Sequence, residues 1–310
     1  MIMHRNDQTL AIRALKSAAP YIRMYKGKTF VVKAGGGVFA DATATRVLVE
    51  QIAILHYFGV RVVLVHGGGP QLTELSAALG VPTRMVEGRR VTDQQAIDVT
   101  SMVLNGLINT RVLGICRDLN IEAVGISGVD AGLVRAHRRA PMKTGGGELV
   151  DFGFVGDIDQ VDTSVLKKLL DNGLMPVVSP LSADEAGTLL NINADTVAAA
   201  LGAALGAEKL ILCTGAPGIL GDISDPGSLI SYTDLSGLRR LREEGRIAAG
   251  MLPKAKAIED AIRGGVRRVH VVSYQSPEGI LGEVFTNEGT GTMIVADVNA
   301  LSPAEQQSHS

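Results

Sequence analysis

The chain contains no tryptophan, and aromatic residues make up only 4% of its 310 residues. Its two cysteines, Cys116 and Cys213, are far apart and each lies in an apolar run. We therefore expect buried thiols in a reducing compartment rather than a disulfide or a metal pair. The longest uninterrupted apolar stretch, 197–207, is too short and too rich in small residues to span a bilayer. These absences predict a cytoplasmic protein that does not enter a membrane.

Charge of one sign is also lacking, because 30 basic residues stand against 32 acidic ones. No basic stripe appears, which argues against nucleic acid as a partner. The chain has neither a G-x-x-x-x-G-K-[ST] phosphate loop nor the glycine loop and H-R-D motif of protein kinases. What it does have is 46% apolar residues, enough for a large core, and 37 glycines. That glycine content exceeds the usual share of about 7% and fits a protein with many backbone contacts to ligands.

Two stretches share one pattern of apolar strand, glycine turn and helix. The strand RVVLVH at 61–66 leads into Gly67–Gly69, and the strand TFVVK at 29–33 leads into Gly35–Gly37. Continuous apolar runs of this kind are typical of strands buried on both faces of a parallel sheet. Glycines bring bare N–H groups close to a ligand, and a helix N-terminus favours an anion. Two such turns at neighbouring strand ends predict one extended site for a phosphorylated ligand.

Strands and helices alternate along most of the chain, which predicts an α/β protein. We expect an open, mainly parallel central sheet covered by helices, with two lobes that share the sheet and divide near Pro180. Alternation and glycines over 134–158 predict β-hairpins that cover the sheet edge. Thr92 and Gln95 form a capping box for a long helix that ends near Asp118. The predicted organisation is a flexible N-terminus 1–8, an N-terminal helix 9–27, a first lobe 28–180, a second lobe 181–297 and a flexible tail 298–310.

Several polar residues stand at the ends of elements in otherwise apolar surroundings: Lys33, His66, Arg90, Asn191, Asp195 and Lys254. Two lysines suit phosphoryl transfer, whose transition state needs cations and positioning more than covalent chemistry. One carboxylate, Asp195, could hold both ammonium groups in place. We interpret His66 as structural, and Asp130 and Glu87 stay ambiguous.

A dinucleotide enzyme is an alternative, because Gly35–Ala40 fits the pattern G-x-G-x-x-A. That pattern expects an acidic residue at the end of the next strand to hold a ribose. The chain has His66 there, which counts against this alternative.

A longer series of motifs carries a family resemblance. In order, the chain contains VVKAGGG, VLVHGGGPQL, GRRVTD, VGISG, DFGFVGDI, NINADTVA, KLILCTGAPGIL, GMLPKAKAIEDAI and FTNEGTGTMI. Over about residues 10–296 it resembles the N-acetylglutamate kinases of the amino acid kinase family. The resemblance implies the fold of that family and the ATP-dependent phosphorylation of the side-chain carboxylate of N-acetyl-L-glutamate, the second step of arginine biosynthesis. It also implies Mg²⁺ held mainly through ATP phosphates rather than by a protein metal site.

Two further activities stay open as alternatives to that reaction. One is a kinase of the same family that acts on a different N-acyl or carrier-linked acidic amino acid. The other is a ligand-sensing module of the same fold without catalysis, although the presence of Lys33, Lys254 and Asp195 speaks against it.

The resemblance also implies residue roles. Lys33 and Lys254 are the two catalytic cations, and Asp195 organises them. Residues that hold the acetylglutamate are Gly68, Gly69, Arg90 and Asn191, while Gly36 contacts the phosphate. ATP is expected at Gly215, Ala216, Pro217, Gly218, Ile219 and Leu220, and at Arg246, Ile247 and Ala248.

Regulation is the last expectation that the resemblance brings. Tyr21, His270, Glu283 and Gly289 match positions that contact L-arginine in arginine-inhibited members. In such members an N-terminal helix interlaces dimers into a trimer of dimers, so we expect a homo-oligomer.

Several positions depart from the family pattern, and these departures concern the expected binding of the nucleotide and of arginine. Gly37, Val129 and Gly215 stand where the family commonly has Asn, Lys and Asp. The loop Ser273–Gln275 replaces the usual Asp-Gly-Arg.

Overall fold

The structure is a computed structural model that describes residues 5–222, 224–225, 227–247 and 251–298, without the side chains of residues 5–8 and 11. Its central sheet has eight strands. In spatial order they are β14 (Tyr232–Asp234), β16 (Thr292–Val295), β15 (Arg268–Ser273), β13 (Lys209–Thr214), β1 (Thr29–Ala34), β2 (Arg61–His66), β10 (Met175–Ser179) and β5 (Ala123–Ser127). The six strands from β15 to β5 are mutually parallel, and β16 is antiparallel to β15. The prediction of a mainly parallel sheet is confirmed.

The smaller β-structure includes the predicted hairpin region and also segments on either side of it. A four-stranded sheet contains, in order, β12 (Leu189–Asn191), β11 (Leu181–Ala183), β6 (Val134–Arg138) and β9 (Gly156–Val161). Two short hairpins complete it: β3 (Arg84–Val86) with β4 (Arg89–Val91), and β7 (Met142–Lys143) with β8 (Leu149–Val150). The expectation of β-structure over 134–158 is therefore confirmed.

Ten α-helical segments lie in the part of the chain that the structure describes. They are α1 (Arg5–Tyr25), α2 (Ala42–Tyr57), α3 (Gly69–Ala78), α4 (Gln94–Ser101), α5 (Asn109–Asp118), α6 (Ser164–Asp171), α7 (Ala194–Leu205), α8 (Leu235–Glu243), α9 (Leu252–Arg263) and α10 (Gly279–Phe285). A wider π-helical segment, Met102–Ile108, joins α4 to α5 without interruption. The sequence had predicted a plain α-helix there.

The core consists of two apolar clusters, one on each face of the central sheet. Val31 of β1 belongs to the cluster under α7 and α9, whereas Phe30 and Val32 belong to the cluster under α2 and α5. Because side chains alternate along a strand, the register of β1 sends Lys33 to the same face as Val31. The strand thus delivers Lys33 to the side of α7 and α9.

The helix over 94–118 has the length and mean hydropathy, 1.3, of a membrane span. Its apolar residues Val103, Leu104, Ile108 and Val112 are buried in the second cluster against the sheet. We interpret it as a core helix, since burial against a sheet explains the same composition.

Both cysteines are free and buried. Burial raises the pKa of Cys116 to about 11 and that of Cys213 to about 12. Neither thiol is therefore a thiolate at neutral pH.

Two predicted boundaries are wrong. The first helix begins at Arg5, so it includes four of the residues expected to be flexible, and residues 1–4 lie outside the described part. The long helix is capped by Asp93, whose Oδ1 accepts from the N–H of Ala96 at 2.8 Å, and not by Thr92. Asp is the stronger N-cap acceptor, and Thr92 instead bridges Gly153. Of the tail predicted at 298–310, only Val298 is described.

Candidate active site

The centre of the site is a buried carboxylate bound by two ammonium groups. Lys33 lies near the end of β1, Asp195 in the first turn of α7 and Lys254 in the first turn of α9. The Nζ atoms of Lys33 and Lys254 are each 2.9 Å from the same oxygen, Oδ1 of Asp195. All three residues are at most 8% exposed. One carboxylate offsets only one of two cations, so the group retains a positive charge that favours an anion.

Burial and charge act against each other in this group. Burial alone would raise the pKa of Asp195, but attraction to Lys33 and Lys254 outweighs it and holds the pKa below its ordinary value. Burial, followed by repulsion from Lys33, lowers the pKa of Lys254. Asp195 is therefore ionised at neutral pH and keeps the two lysines together.

Helix starts explain why Asp195 and Lys254 are placed where they are. The side chain of Asn193 caps α7 and accepts from the N–H of Asp195 at 2.8 Å. Pro253 lies in the first turn of α9, where its missing N–H removes no helical hydrogen bond. Both helices thus direct their positive ends toward the site.

The two glycine turns contact each other. A Cβ on Gly36 would lie 2.7 Å from the backbone N of Gly69, so only glycine allows this approach. The N–H of Gly67 donates to the carbonyl of Ala34 at 2.9 Å. Gln71 Nε2 donates to the carbonyl of Gly36 at 2.9 Å. The two turns therefore meet, as their neighbouring strand ends predict. Gln71, the side chain that joins them, was not identified from the sequence.

Arg90 lies over the start of α3. Its guanidinium donates to the carbonyl of Gly69 at 3.3 Å and to Thr73 Oγ1 at 2.8 Å. Burial lowers the pKa of Arg90. Asn191, at the end of β12, reaches this region through Thr92, to whose Oγ1 its side chain donates at 3.4 Å. Arg90 thus contacts the second glycine turn directly, whereas Asn191 is linked to Thr92, two residues after Arg90.

The predicted nucleotide loop follows β13, the strand beside β1. The N–H of Ala216 donates to Thr214 Oγ1 at 3.0 Å, and that of Ile219 to Thr292 Oγ1 at 2.8 Å. A Cβ on Gly218 would lie 2.6 Å from Thr292 Oγ1. These contacts fix the backbone of the loop beside the first glycine turn.

The second predicted nucleotide segment follows α8. The N–H of Arg246 donates to the carbonyl of Leu241 at 2.9 Å, which ends that helix, and Ile247 packs against the core cluster under α7 and α9. Ala248 lies outside the described residues.

One residue between the loops was missed. The hydroxyl of Tyr274 lies 2.6 Å from where a Cβ on Gly37 would be, and 3.3 Å from where one on Gly215 would be. The departures at Gly37, Gly215 and Tyr274 therefore converge on one spot. Their joint occurrence was a signal in the sequence, although no local pattern shows that they meet.

The four residues predicted to contact arginine are also gathered. Glu283 Oε1 is 2.6 Å from His270 Nδ1, and its Oε2 accepts from the N–H groups of Thr290 and Gly291 at 2.7 and 2.9 Å. A Cβ on Gly289 would lie 2.8 Å from Glu283 Oε2. At the edge of this group, Tyr21 donates a hydrogen bond to Asn287.

The sequence missed a buried lysine in the same cluster. Lys209 Nζ lies 2.9 Å from His270 Nε2. Burial lowers the pKa of Lys209 to about 7 and that of His270 to about 4. The Glu283 carboxylate is consequently already engaged by a neutral imidazole and two backbone amides.

The two ambiguous carboxylates make local contacts. Asp130 Oδ2 accepts from the N–H of Ser127 at 2.6 Å and so closes the turn after β5. Glu87 Oε1 accepts from the N–H of Gly145 at 2.6 Å and links the two short hairpins.

The carboxylate at the centre of the site is engaged by protein groups. Among the described residues, no group of three or more His, Cys, Asp or Glu side chains is arranged to hold an ion. Asp195, the carboxylate beside the lysines, already accepts from both of them. Mg²⁺ keeps several waters and is commonly bound through substrate phosphates.

Comparison with known proteins places this geometry in a family. A model of the amino acid kinase family matches residues 28–273. The acetylglutamate kinase of Myxococcus xanthus (strain DK1622) is 48% identical over 296 residues, which cover 94% of this chain and 96% of that protein.

Among solved structures, N-acetylglutamate synthase from Neisseria gonorrhoeae complexed with coenzyme A and N-acetyl-glutamate matches with a TM-score of 0.80 at 27% identity. The match covers 93% of this chain but only 64% of the synthase chain. The same synthase complexed with coenzyme A and L-arginine matches with a TM-score of 0.79 at 26% identity, over 92% of this chain and 65% of that one.

Proposed function

The chain belongs to the amino acid kinase family, and from that premise we propose that it phosphorylates the side-chain carboxylate of N-acetyl-L-glutamate. The phosphoryl donor is ATP and the product is N-acetyl-L-glutamyl 5-phosphate, the second intermediate of arginine biosynthesis. A relative that is 48% identical over nearly the full length of both chains is named acetylglutamate kinase. The structural observation that carries the proposal is the pair of buried lysines on one oxygen of Asp195, beside two touching glycine turns.

In this reaction the protein mainly supplies positive charge and holds the substrates in position. The acceptor carboxylate is already ionised at neutral pH, so no general base is needed. Negative charge spreads over the transferring phosphoryl oxygens in the transition state. Lys33 and Lys254 neutralise that charge from fixed positions, since Asp195 holds both ammonium groups before substrate arrives.

The acceptor lies against the second glycine turn. The N–H groups of Gly68 and Gly69 bind it, and Gly36 contacts the phosphoryl group from the neighbouring turn. Arg90 pairs with the α-carboxylate, which does not react, because a guanidinium offers two parallel donors to a carboxylate. Asn191 is a further contact of the acceptor, because its side-chain amide offers both a donor and an acceptor.

The nucleotide lies against Gly215–Leu220 and the segment Arg246–Ala248. The first loop follows β13, the strand next to β1, and this adjacency supports a nucleotide beside Lys33. Mg²⁺ bound to the ATP phosphates supplies further neutralisation of their charge. Two buried free thiols and the use of ATP fit work in the cytoplasm.

A trapping assay tests this function. The protein is incubated with MgATP and N-acetyl-L-glutamate, and acyl phosphate is captured as hydroxamate. We expect product only when both substrates are present. Parallel reactions with N-succinyl-glutamate, with free glutamate, and with a carrier-linked acidic amino acid test the alternative acceptors. A higher kcat/KM for any of these would replace N-acetyl-L-glutamate as the substrate, and no product from any would refute the kinase.

We also propose that the chain is a homo-oligomer, a dimer or a trimer of dimers, and that L-arginine inhibits it. Leu10, Ile12 and Leu15 of α1 are each more than half exposed in the single chain, which suits a helix that packs on another copy. The Glu283 carboxylate suits a guanidinium by charge, although arginine would have to share it with His270 and two backbone amides.

A further inference from the structure

Behind the second glycine turn lies a buried hydrogen-bond chain that the reaction above leaves unused. His66 is fully buried and Asn109 is 5% exposed. Asn109 Nδ2 is 2.9 Å from the carbonyl oxygen of Val177 and 3.2 Å from His66 Nε2. His66 Nδ1 is 3.3 Å from the carbonyl oxygen of Gly67. The chain therefore runs from β10 through α5 to the turn.

The acceptor at one end fixes the direction of every hydrogen bond in this chain. A carbonyl oxygen only accepts, so the Asn109 atom that faces Val177 is the amide nitrogen. The same nitrogen faces His66 Nε2, which must then accept. Burial lowers the pKa of His66 to about 4, so the ring is neutral at pH 7 and carries its one proton on Nδ1. That proton is donated to the Gly67 carbonyl.

This donation sets the orientation of the peptide between Gly67 and Gly68. In a planar trans peptide the C=O and the N–H point in opposite directions. With its carbonyl held toward His66, the peptide turns the Gly68 N–H away from the imidazole. No protein acceptor for that N–H is found in the described part of the chain.

Two glycines, Gly68 and Gly125, leave space for this hydrogen-bond chain and the helix beside it. Ile108 and Leu104 of the π-helical segment press on Gly68, where a Cβ would lie 2.6 and 2.7 Å from their methyl carbons. Asn109, the first residue after that segment, also needs Gly125, because a Cβ there would lie 1.9 Å from Asn109 Oδ1. Short π-helical segments are frequent at functional sites.

We propose that His66 and Asn109 are positioning residues, which lock the Gly67–Gly68 peptide so that the Gly68 N–H faces an oxygen of the bound acceptor. Asn109 selects the imidazole tautomer, and His66 transmits that choice to the turn. The proposal rests on the proposed function, because that function supplies the oxygen that the N–H binds. It revises the interpretation of His66 as merely structural.

Two matched substitutions test the proposal. In His66→Asn the side-chain nitrogen lies near the position of Nδ1, so the donor to Gly67 is kept and the contact with Asn109 is lost. In His66→Gln the amide reaches the position of Nε2, so the contact with Asn109 is kept and the donor to Gly67 is lost. Each variant loses one hydrogen bond, and a purely structural role would reduce stability and activity similarly in both.

We expect kcat/KM for N-acetyl-L-glutamate to be about tenfold lower in His66→Gln than in His66→Asn, as for loss of part of an oriented N–H donor. KM for ATP should agree between the two within about twofold, because the nucleotide lies on the other loop. Equal kcat/KM values, or a more active Gln variant, would overturn the positioning role of His66. If the wild type is active in that experiment, the proposed kinase activity still stands. An inactive wild type would instead refute the kinase.

A second measurement does not depend on the folding of either variant. Nitrogen-15 NMR of the wild-type protein at pH 7 distinguishes the two neutral imidazole tautomers. His66 is assigned by elimination among the six histidines, using substitutions of the other five. A proton on Nδ1 is expected, and a proton on Nε2 would contradict the proposal.

Discussion

Replacing Asp195 by Asn perturbs the charge balance of the site with little change in volume. Lys33 and Lys254 each lie 2.9 Å from Asp195 Oδ1, so their ammonium groups are at most about 6 Å apart. At that distance, two unit charges repel by about 3 kcal/mol at an effective dielectric constant of 20. The carboxylate now offsets this repulsion, and an amide would not. Lys254 should deprotonate at a lower pH than in the wild type, since its pKa is already lowered by burial and by Lys33.

The assay is the pH dependence of kcat. The Asn variant should lose about a hundredfold or more in kcat, as when a preorganised electrostatic group is removed. Its remaining activity should fall as pH rises, because deprotonated Lys254 no longer neutralises the phosphoryl group. This fall should occur at a lower pH than in the wild type. Glu259→Gln is a matched control, since Glu259 is an equally buried, ion-paired carboxylate on α9 away from Asp195. Near-normal kcat with an unchanged pH profile in the Asp195 variant would refute the reasoning.

Three further outcomes are expected. Arg90→Lys should raise KM for N-acetyl-L-glutamate strongly and leave KM for ATP nearly unchanged, because a point charge cannot replace the bidentate fork; equal effects on both would reject the assignment. Gly215→Asp should fold and change KM for ATP only, since its Cβ would lie 3.3 Å from the Tyr274 hydroxyl and require a small shift; failure to fold would show a backbone requirement instead. Deleting residues 1–24 should abolish a hexamer and L-arginine inhibition; a wild type already dimeric, or a truncated hexamer, would contradict this.

Local patterns predicted most of the fold. The buried strands β1 and β2 are continuous apolar runs, as expected from the sequence. Such signals depend on neighbours in sequence, so they can be read directly. The π-helical segment Met102–Ile108 could not be predicted, because its widening accompanies the packing of side chains on Gly68, far away in sequence.

The candidate site was likewise only partly predictable from the sequence. Lys33, Asp195 and Lys254 each stand at the end of an element, which the sequence shows. Both lysines contact one oxygen of Asp195 because of the way α7 and α9 pack on the sheet. No local sequence pattern predicts this packing. Lys209 is the first residue of β13, and only the fold reveals it as a buried partner of His270.

The most direct test of the central claim is the hydroxamate assay on the wild type, Lys33→Ala and Lys254→Ala under identical conditions. The wild type should form acyl phosphate from MgATP and N-acetyl-L-glutamate. Each alanine variant should lose at least about a hundredfold in kcat, with smaller changes in KM, because both cations act mainly in the transition state. Near-normal turnover in either variant would remove that lysine from the mechanism, and absence of acyl phosphate from the wild type would contradict the account itself.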